Sequence, residues 1–426
     1  VYFDLGGKME YLLHGDLCFS KDRTRIETME NGYMHIRDGK IIELYETVPA
    51  NLSSLERKDY HGKIVLPGMV DLHLHAPQYA YRGTKMDLPL LEWLNINTFP
   101  EEAKYEDASY AKAAYTNFVE DLKESPTTRA VIFATLHKEA TLELMALLEE
   151  SGLSTMVGKV NMDRNSPDYL TEHSAEESLE NTKAWLREIP KTYRHCRPIL
   201  TPRFTPTCSD RLLEGLGRLM AEEGLPLQSH LSENKAEIAW VKELCPGTKN
   251  YGESYDRYGL LKHAVMAHCV HTREDELELL KERECYICHC PQSNTNLQSG
   301  VAPVKHFLEK GAKLGLGTDV AGGANLSMFR AITDAIHVSK LRSCLLLEDA
   351  AITVEEAFFM ASLSGGGFFG KVGSFLTGYE ADFLVYERKR ESIREESLLE
   401  RLEMLLYTEK ELFRMKAKFV SGRQIL

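Results

Sequence analysis

From residue 63 to residue 320 the chain repeats one pattern: a short apolar run rich in branched residues, then a longer segment whose apolar positions fall three and four apart. The apolar runs are KIVLPGMVDLHLH, RAVIFATL, TMVGKVNM, RPILTPRF, PLQSHLSE, AVMAHCV, CYICHCP and KLGLGTDV, eight in all. Between them YEDASYAKAAYTNFVEDLKE, SDRLLEGLGRLMAEEG, TREDELELLKERE and APVKHFLEKG show helical spacing, with glycines near their ends. Eight strand-then-helix units predict an α/β fold built as a closed (β/α)8 barrel of TIM type.

The flanks read differently. EYLLHGDLCFS and GYMHIRDGKIIELYE are short strand-type runs, and Asp38-Gly39 inside the second is a hairpin turn signal. Residues 325–370 look helical, after which GSFLTGYEADFLVYE and FRMKAKFVSGRQIL return to strand character. The expected organisation is a small composite β-sandwich domain built from residues 9–66 and 371–426 around a barrel of residues 67–370. Residues before Met9 are given no functional weight.

Composition narrows the function classes. With 426 residues and 43% apolar side chains the chain can bury a large core. Lys plus Arg is 51 and Asp plus Glu 64, a net charge of −13 with no basic block, which repels phosphate backbones and anionic membranes. Neither nucleic acid nor a membrane is an expected partner. No apolar run approaches the roughly 18 residues of a membrane span, and the opening stretch has no secretory n-region or h-region, so the expected location is the cytoplasm. The nine scattered cysteines are expected to be free thiols.

Barrel enzymes place their chemistry at the carboxyl ends of the strands. There the first run ends in His73 and His75, the fourth in Arg203, the fifth in His230 followed by Glu233, the sixth in His268 and the eighth in Asp319. His73 and His75, two apart on a strand, share a face. Two imidazoles rarely complete a coordination sphere, and His230, His268 and Asp319 supply the rest. Such a donor set suits zinc, with iron as the alternative. Any one of these histidines alone is more often structural; their conjunction at one predicted mouth supports a metal site. His263 and His271 flank the sixth run, but His268 is better placed. His230 and Glu233, three apart, would face opposite sides of an ideal strand, so the chain must leave strand geometry after about Leu231.

Four other motif matches lead elsewhere. Cys285-Tyr-Ile-Cys288-His289 fits a haem-attachment pattern but reads as a strand, and Cys290 beside it has no second CxxC to close a zinc tetrahedron. GGGFFGK at 365–371 lacks the Ser or Thr of a phosphate loop and reads as a helix-terminating turn. His137-Lys-Glu139 has no PCxxC partner.

PGMVDLHLHAPQ, HLSEN, AHCVH and GLGTDVAGG, in this order, look like the amidohydrolase superfamily. MDLPLLEWLNINTFPEEAKY and TPRFTPTCS resemble its guanine-deaminase family over nearly the whole chain. The resemblance implies one zinc ion per chain, a homodimer, and hydrolytic deamination of guanine to xanthine and ammonia. The chemistry fits the residue types. Bound zinc brings the pKa of its water from 15.7 towards about 7, supplying a nucleophile near neutral pH. Asp319 could both ligate and take the proton, while Glu233, not a ligand, would protonate the ring nitrogen beside the attacked carbon. Glu233, Asp319 and His268 are thus the catalytic candidates. Gln78 can read a purine edge, Arg203 can donate to a ring carbonyl and Phe204 can stack on the base, beside Glu233, His268 and Asp319. Met86, Leu90 and Trp93 are expected to pack a lid, and His289 has no assigned role. A barrel deaminase acting on a pterin, a triazine or another purine stays open, as does a non-catalytic metal-binding barrel.

Overall fold

The computed structural model describes residues 9–347 and 350–426; those before Met9 lie outside the described residues. Strand β1 (Glu10–Asp22) pairs antiparallel with β2 (Arg25–Arg37), which turns into β3 (Lys40–Tyr45). The expected hairpin turn is there, with Asp38 at φ 49° and Gly39 at φ 78°, the two left-handed residues a tight turn of this kind requires. Strand β4 (Glu56–Pro67) runs parallel to β1.

The first apolar run, read as one strand, is two. It breaks at Gly68 into β4 and β5 (Met69–His75), which lie in different sheets. Gly68 donates its N–H to the Asp382 carbonyl at 3.0 Å, and a Cβ there would overlap the Thr128 side chain. Only a residue without a side chain lets the backbone change sheets at that distance. Gly68→Ala is therefore expected to destabilise the fold by about 1–3 kcal/mol. A lower urea midpoint at unchanged slope would register it.

Strands β6 (Thr127–Phe133), β7 (Ser154–Gly158), β8 (Val160–Asn161), β9 (Cys196–Pro198), β10 (Thr201–Pro202), β11 (Leu227–Leu231), β12 (Ala264–His268), β13 (Tyr286–His289) and β14 (Lys313–Leu316) answer to the remaining seven runs, two of which are each interrupted once. Among the described residues they form sheets in the orders β5-β6-β7-β9 and β11-β12-β13-β14, with β8 beside β10. Leu200 bridges in parallel to Leu227, and Gln228 N–H donates to Leu200 O at 2.9 Å. On the other side Asp319 N–H donates to His73 O and His75 N–H to Val320 O, both at 2.8 Å. Strands β5, β6, β7, β11, β12 and β13 are buried along their whole length, as parallel strands covered on both faces must be. The intervening helices follow their local signals. Asp107 caps Ala108–Glu124, and Ser209 caps Asp210–Glu223, which ends at Gly224 with φ 65°.

Strands β15 (Phe383–Arg388), β16 (Phe413–Val420) and β17 (Arg423–Gln424) complete the first sheet in the order β17-β16-β15-β4-β1-β2-β3. Leu13, Met34, Val65, Phe383 and Phe419 lie in its apolar core. Between β15 and β16 the helix Leu398–Leu412 starts from a Ser397–Glu400 capping box, a signal present in the sequence but unassigned there. The chain forms two compact units. One runs to Val70 and adds Pro126–Arg129 and Thr353–Leu426, and the other is Asp71–Ser125 with Ala130–Ile352. All nine cysteines are free, and among the described residues no helix is long and apolar enough to cross a membrane.

Candidate metal centre and substrate cavity

The second unit brings the five predicted ligands together. His73 and His75 leave the same face of β5, His230 lies on β11, His268 closes β12, and Asp319 follows β14 by three residues. His73 Nε2 lies 3.2 Å and His75 Nε2 3.5 Å from Asp319 Oδ1, and His268 Nε2 is 3.7 Å from Asp319 Oδ2. His75 Nε2 and His230 Nε2 are 3.2 Å apart. The donor atoms of His73, His75 and His230 lie within 4.8 Å of one another, as do those of His73, His268 and Asp319.

Local packing makes this convergence possible. A Cβ on Gly317 would come within 2.6 Å of Cys288 Sγ and 3.0 Å of His73 Cβ, so only glycine lets the chain before Asp319 approach β5 this closely. Buried Asp71 accepts from the Thr318 hydroxyl at 2.5 Å and the Thr318 N–H at 3.1 Å, tying the two segments together. The outer nitrogens of two rings are also fixed. His230 Nδ1 is 2.6 Å from the Arg203 carbonyl and His268 Nδ1 2.8 Å from Asn294 Oδ1. Each such contact places the proton on Nδ1 and turns the Nε2 lone pair inward.

The residues present fit a divalent cation. Burial, then the neighbouring imidazoles, push His75 and His230 well below the ordinary histidine range, which suits both rings to donate a lone pair to a cation. His73 is lowered by burial, which outweighs the facing Asp319 carboxylate. Burial alone would raise the Asp319 carboxyl, but facing His73 and His268 outweighs it and holds it down at about 2. Inward lone pairs around one carboxylate are a donor set that suits such a cation.

Glu233 reaches the same place by the expected break in geometry. Strand β11 stops at Leu231, and Ser232 takes φ 48°, which reverses the side-chain alternation. Glu233 Oε2 then lies 3.5 Å from His268 Nε2, while Ser299 Oγ donates to Glu233 Oε1 at 3.1 Å. Burial, reinforced by the charge of Asp319 and opposed by Ser299, raises the Glu233 carboxyl well above its ordinary range. Two neighbouring carboxyl groups are thereby pushed in opposite directions, Asp319 down and Glu233 up.

Beside these groups opens a cavity of about 420 Å³ counted out to solvent, lined by Gln78, Arg203, Phe204, Glu233, His268 and Asp319 together with apolar Leu90, Trp93, Leu94 and Leu297. Every substrate-binding residue expected from the sequence is on its wall. Leu90 and Trp93, expected to pack a lid, face the cavity itself. His271, the competitor of His268, lies 2.8 Å from the Ser299 carbonyl and lines a different cavity. His289 is buried and is not part of this wall. The sequence did not single out Asp71, Asn294, Ser299 or Glu102, each of which acts on a site residue through a hydrogen bond.

Alternating strands and helices that carry a histidine-rich, carboxylate-closed centre at the strand ends define a class, and the chain belongs to the amidohydrolase family, whose pattern matches residues 64–419. Within that class it belongs with the guanine deaminases. It is 36% identical over 397 residues to the guanine deaminase of Dictyostelium discoideum, covering 88% of each chain. With the mouse guanine deaminase it shares 39% identity over 376 residues, covering 84% of this chain and 82% of the mouse protein. A crystal structure of guanine deaminase from C. acetobutylicum with bound guanine in the active site superposes with a TM-score of 0.95 at 41% identity, covering 98% of this chain and 100% of that one.

Proposed function

We propose that this chain converts guanine and water to xanthine and ammonia. One observation carries the reading: the carboxyl groups of Glu233 and Asp319 flank the histidine cluster in a cavity walled by Gln78, Arg203 and Phe204. The bound guanine of the C. acetobutylicum enzyme supports the choice of base.

In this reading His73, His75, His230, His268 and Asp319 hold one zinc ion, and iron is the alternative for the same donors. Bound there, zinc would lower the pKa of a water towards about 7. Asp319 takes up the proton that the attacking water gives up. Glu233 passes its own proton to the ring nitrogen beside the attacked carbon; the proton held by Asp319 then goes to the departing amino group, and the hydroxyl left on the carbon returns its proton to Glu233 as the carbonyl forms. Phe204 stacks on the base, Arg203 donates to its ring carbonyl, and Leu90 and Trp93 keep water from the flank.

The backbone hydrogen bonds joining Leu200 to β11 and the segment after β14 to β5 support a closed (β/α)8 barrel as the frame. The seven-stranded sheet shared by strands from the two ends of the chain supports a composite β domain, read as a β-sandwich. Nine free cysteines accord with a cytoplasmic location. Family resemblance supports a homodimer.

A panel of amino-heterocycles tests the reading: guanine, 2-aminopurine, a pterin and an aminotriazine assayed at equal metal content. Guanine is expected to give the highest kcat/KM. A higher value on another ring overturns the substrate assignment.

A further inference from the structure

Glu102 lies on the short helix Phe99–Ala103 and is 2% exposed. Its carboxylate joins two side chains of the cavity wall. Oε1 accepts from Gln78 Nε2 at 2.8 Å and from Arg203 Nη2 at 3.1 Å, and Oε2 accepts from Arg203 Nη1 at 2.5 Å. Gln78 Oε1 in turn accepts the Ala321 N–H at 3.3 Å. The ring of Phe99, three residues before Glu102, packs 5.2 Å from the Arg203 guanidinium carbon.

A buried carboxylate is costly unless both oxygens are paired. Here both are paired, and to groups that face the cavity. The pairing settles which atoms remain for a ligand. Gln78 cannot flip, because its amide nitrogen is engaged by Glu102 and its oxygen by a backbone N–H. The guanidinium is gripped bidentately on one edge and covered by Phe99, which fixes the plane of the fork. What Gln78 and Arg203 have left is mostly N–H donors.

We propose that Glu102 is a positioning residue that sets this wall to donate, so that the cavity selects a planar heterocycle presenting a carbonyl oxygen and an unprotonated ring nitrogen. The inference rests on the guanine reading above and deepens it. A purine with an amino group in place of the ring carbonyl turns a donor towards fixed donors and is rejected. Without Glu102 the Gln78 amide rotates, the fork loosens, and the rejection fades.

The test is Glu102→Gln, assayed on guanine and on 2,6-diaminopurine with metal content and Tm recorded. Expected are a rise in KM for guanine of at least about tenfold, kcat within about threefold, and a fall of at least about tenfold in the ratio of kcat/KM for guanine to that for 2,6-diaminopurine. A general structural role lowers both efficiencies together. An unchanged ratio, whatever the absolute rates, overturns the proposal. Glu102→Asp keeps the charge on Arg203 but withdraws the oxygens by one methylene; it reads the same ratio should the glutamine variant fail to accumulate folded. A wild-type protein inactive on guanine defeats the functional reading itself, which separates that failure from this one.

Discussion

Glu233→Gln is expected to lower kcat on guanine by at least about 10²-fold, the usual scale of general acid-base catalysis, with bound metal unchanged. The substitution is close to isosteric, so the cavity keeps its shape, and the amide oxygen can still accept from Ser299 Oγ as Glu233 Oε1 does at 3.1 Å. What disappears is the proton. Burial and the charge of Asp319 raise the Glu233 carboxyl so that it holds one near neutral pH, and an amide in the same position cannot pass one on. Single-turnover kinetics with metal analysis on the same sample checks this. Turnover within a few fold of wild type would remove Glu233 from the mechanism. A barrel that only stored metal would likewise be indifferent to the change.

Stripping the metal with a chelator should have the larger effect, a loss of turnover of more than about 10³-fold that added zinc restores. Without a cation, His73, His75, His230 and His268 crowd one ionised carboxylate, and an ordinary water remains too weak a nucleophile. The same treatment is expected to lower Tm. An ion that binds only the folded chain stabilises it by about 4 kcal/mol at a thousand times its dissociation constant. Elemental analysis before and after, with zinc and iron in separate restoration arms, reports which ion the site takes. Full activity at residual metal far below one ion per chain would overturn the metal-dependent reading.

The sequence was most informative wherever a local rule links neighbouring residues. The two-residue spacing of His73 and His75 sets them on one face in any strand, and the β2–β3 turn forms at Asp38-Gly39 because few other pairs accept two left-handed conformations. The break after Leu231 followed from the spacing of His230 and Glu233, and Ser232 supplies it. The rhythm of apolar runs located strand segments β5 to β14, most of them buried on both faces and so without polar alternation.

What lay beyond the sequence depended on contacts between distant segments. The Pro67-Gly68 pair inside the run KIVLPGMVDLHLH is a local break signal, but that the backbone there must pass close to Thr128, sixty residues later, is not encoded within the run. Asn294 and Ser299 orient His268 and Glu233 from a segment with no pattern of its own. Glu102 was visible as part of TFPEE, yet a lone glutamate there is as consistent with a solvated helix face. Only the tertiary structure buries it against Arg203, a hundred and one residues away. The sequence by itself determined which residue types the chemistry would use and the strand ends on which they sit, because side-chain alternation is a local property. Only the folded chain decided which buried polar groups face one another, because hydrogen-bond pairing depends on positions in space that no local spacing encodes.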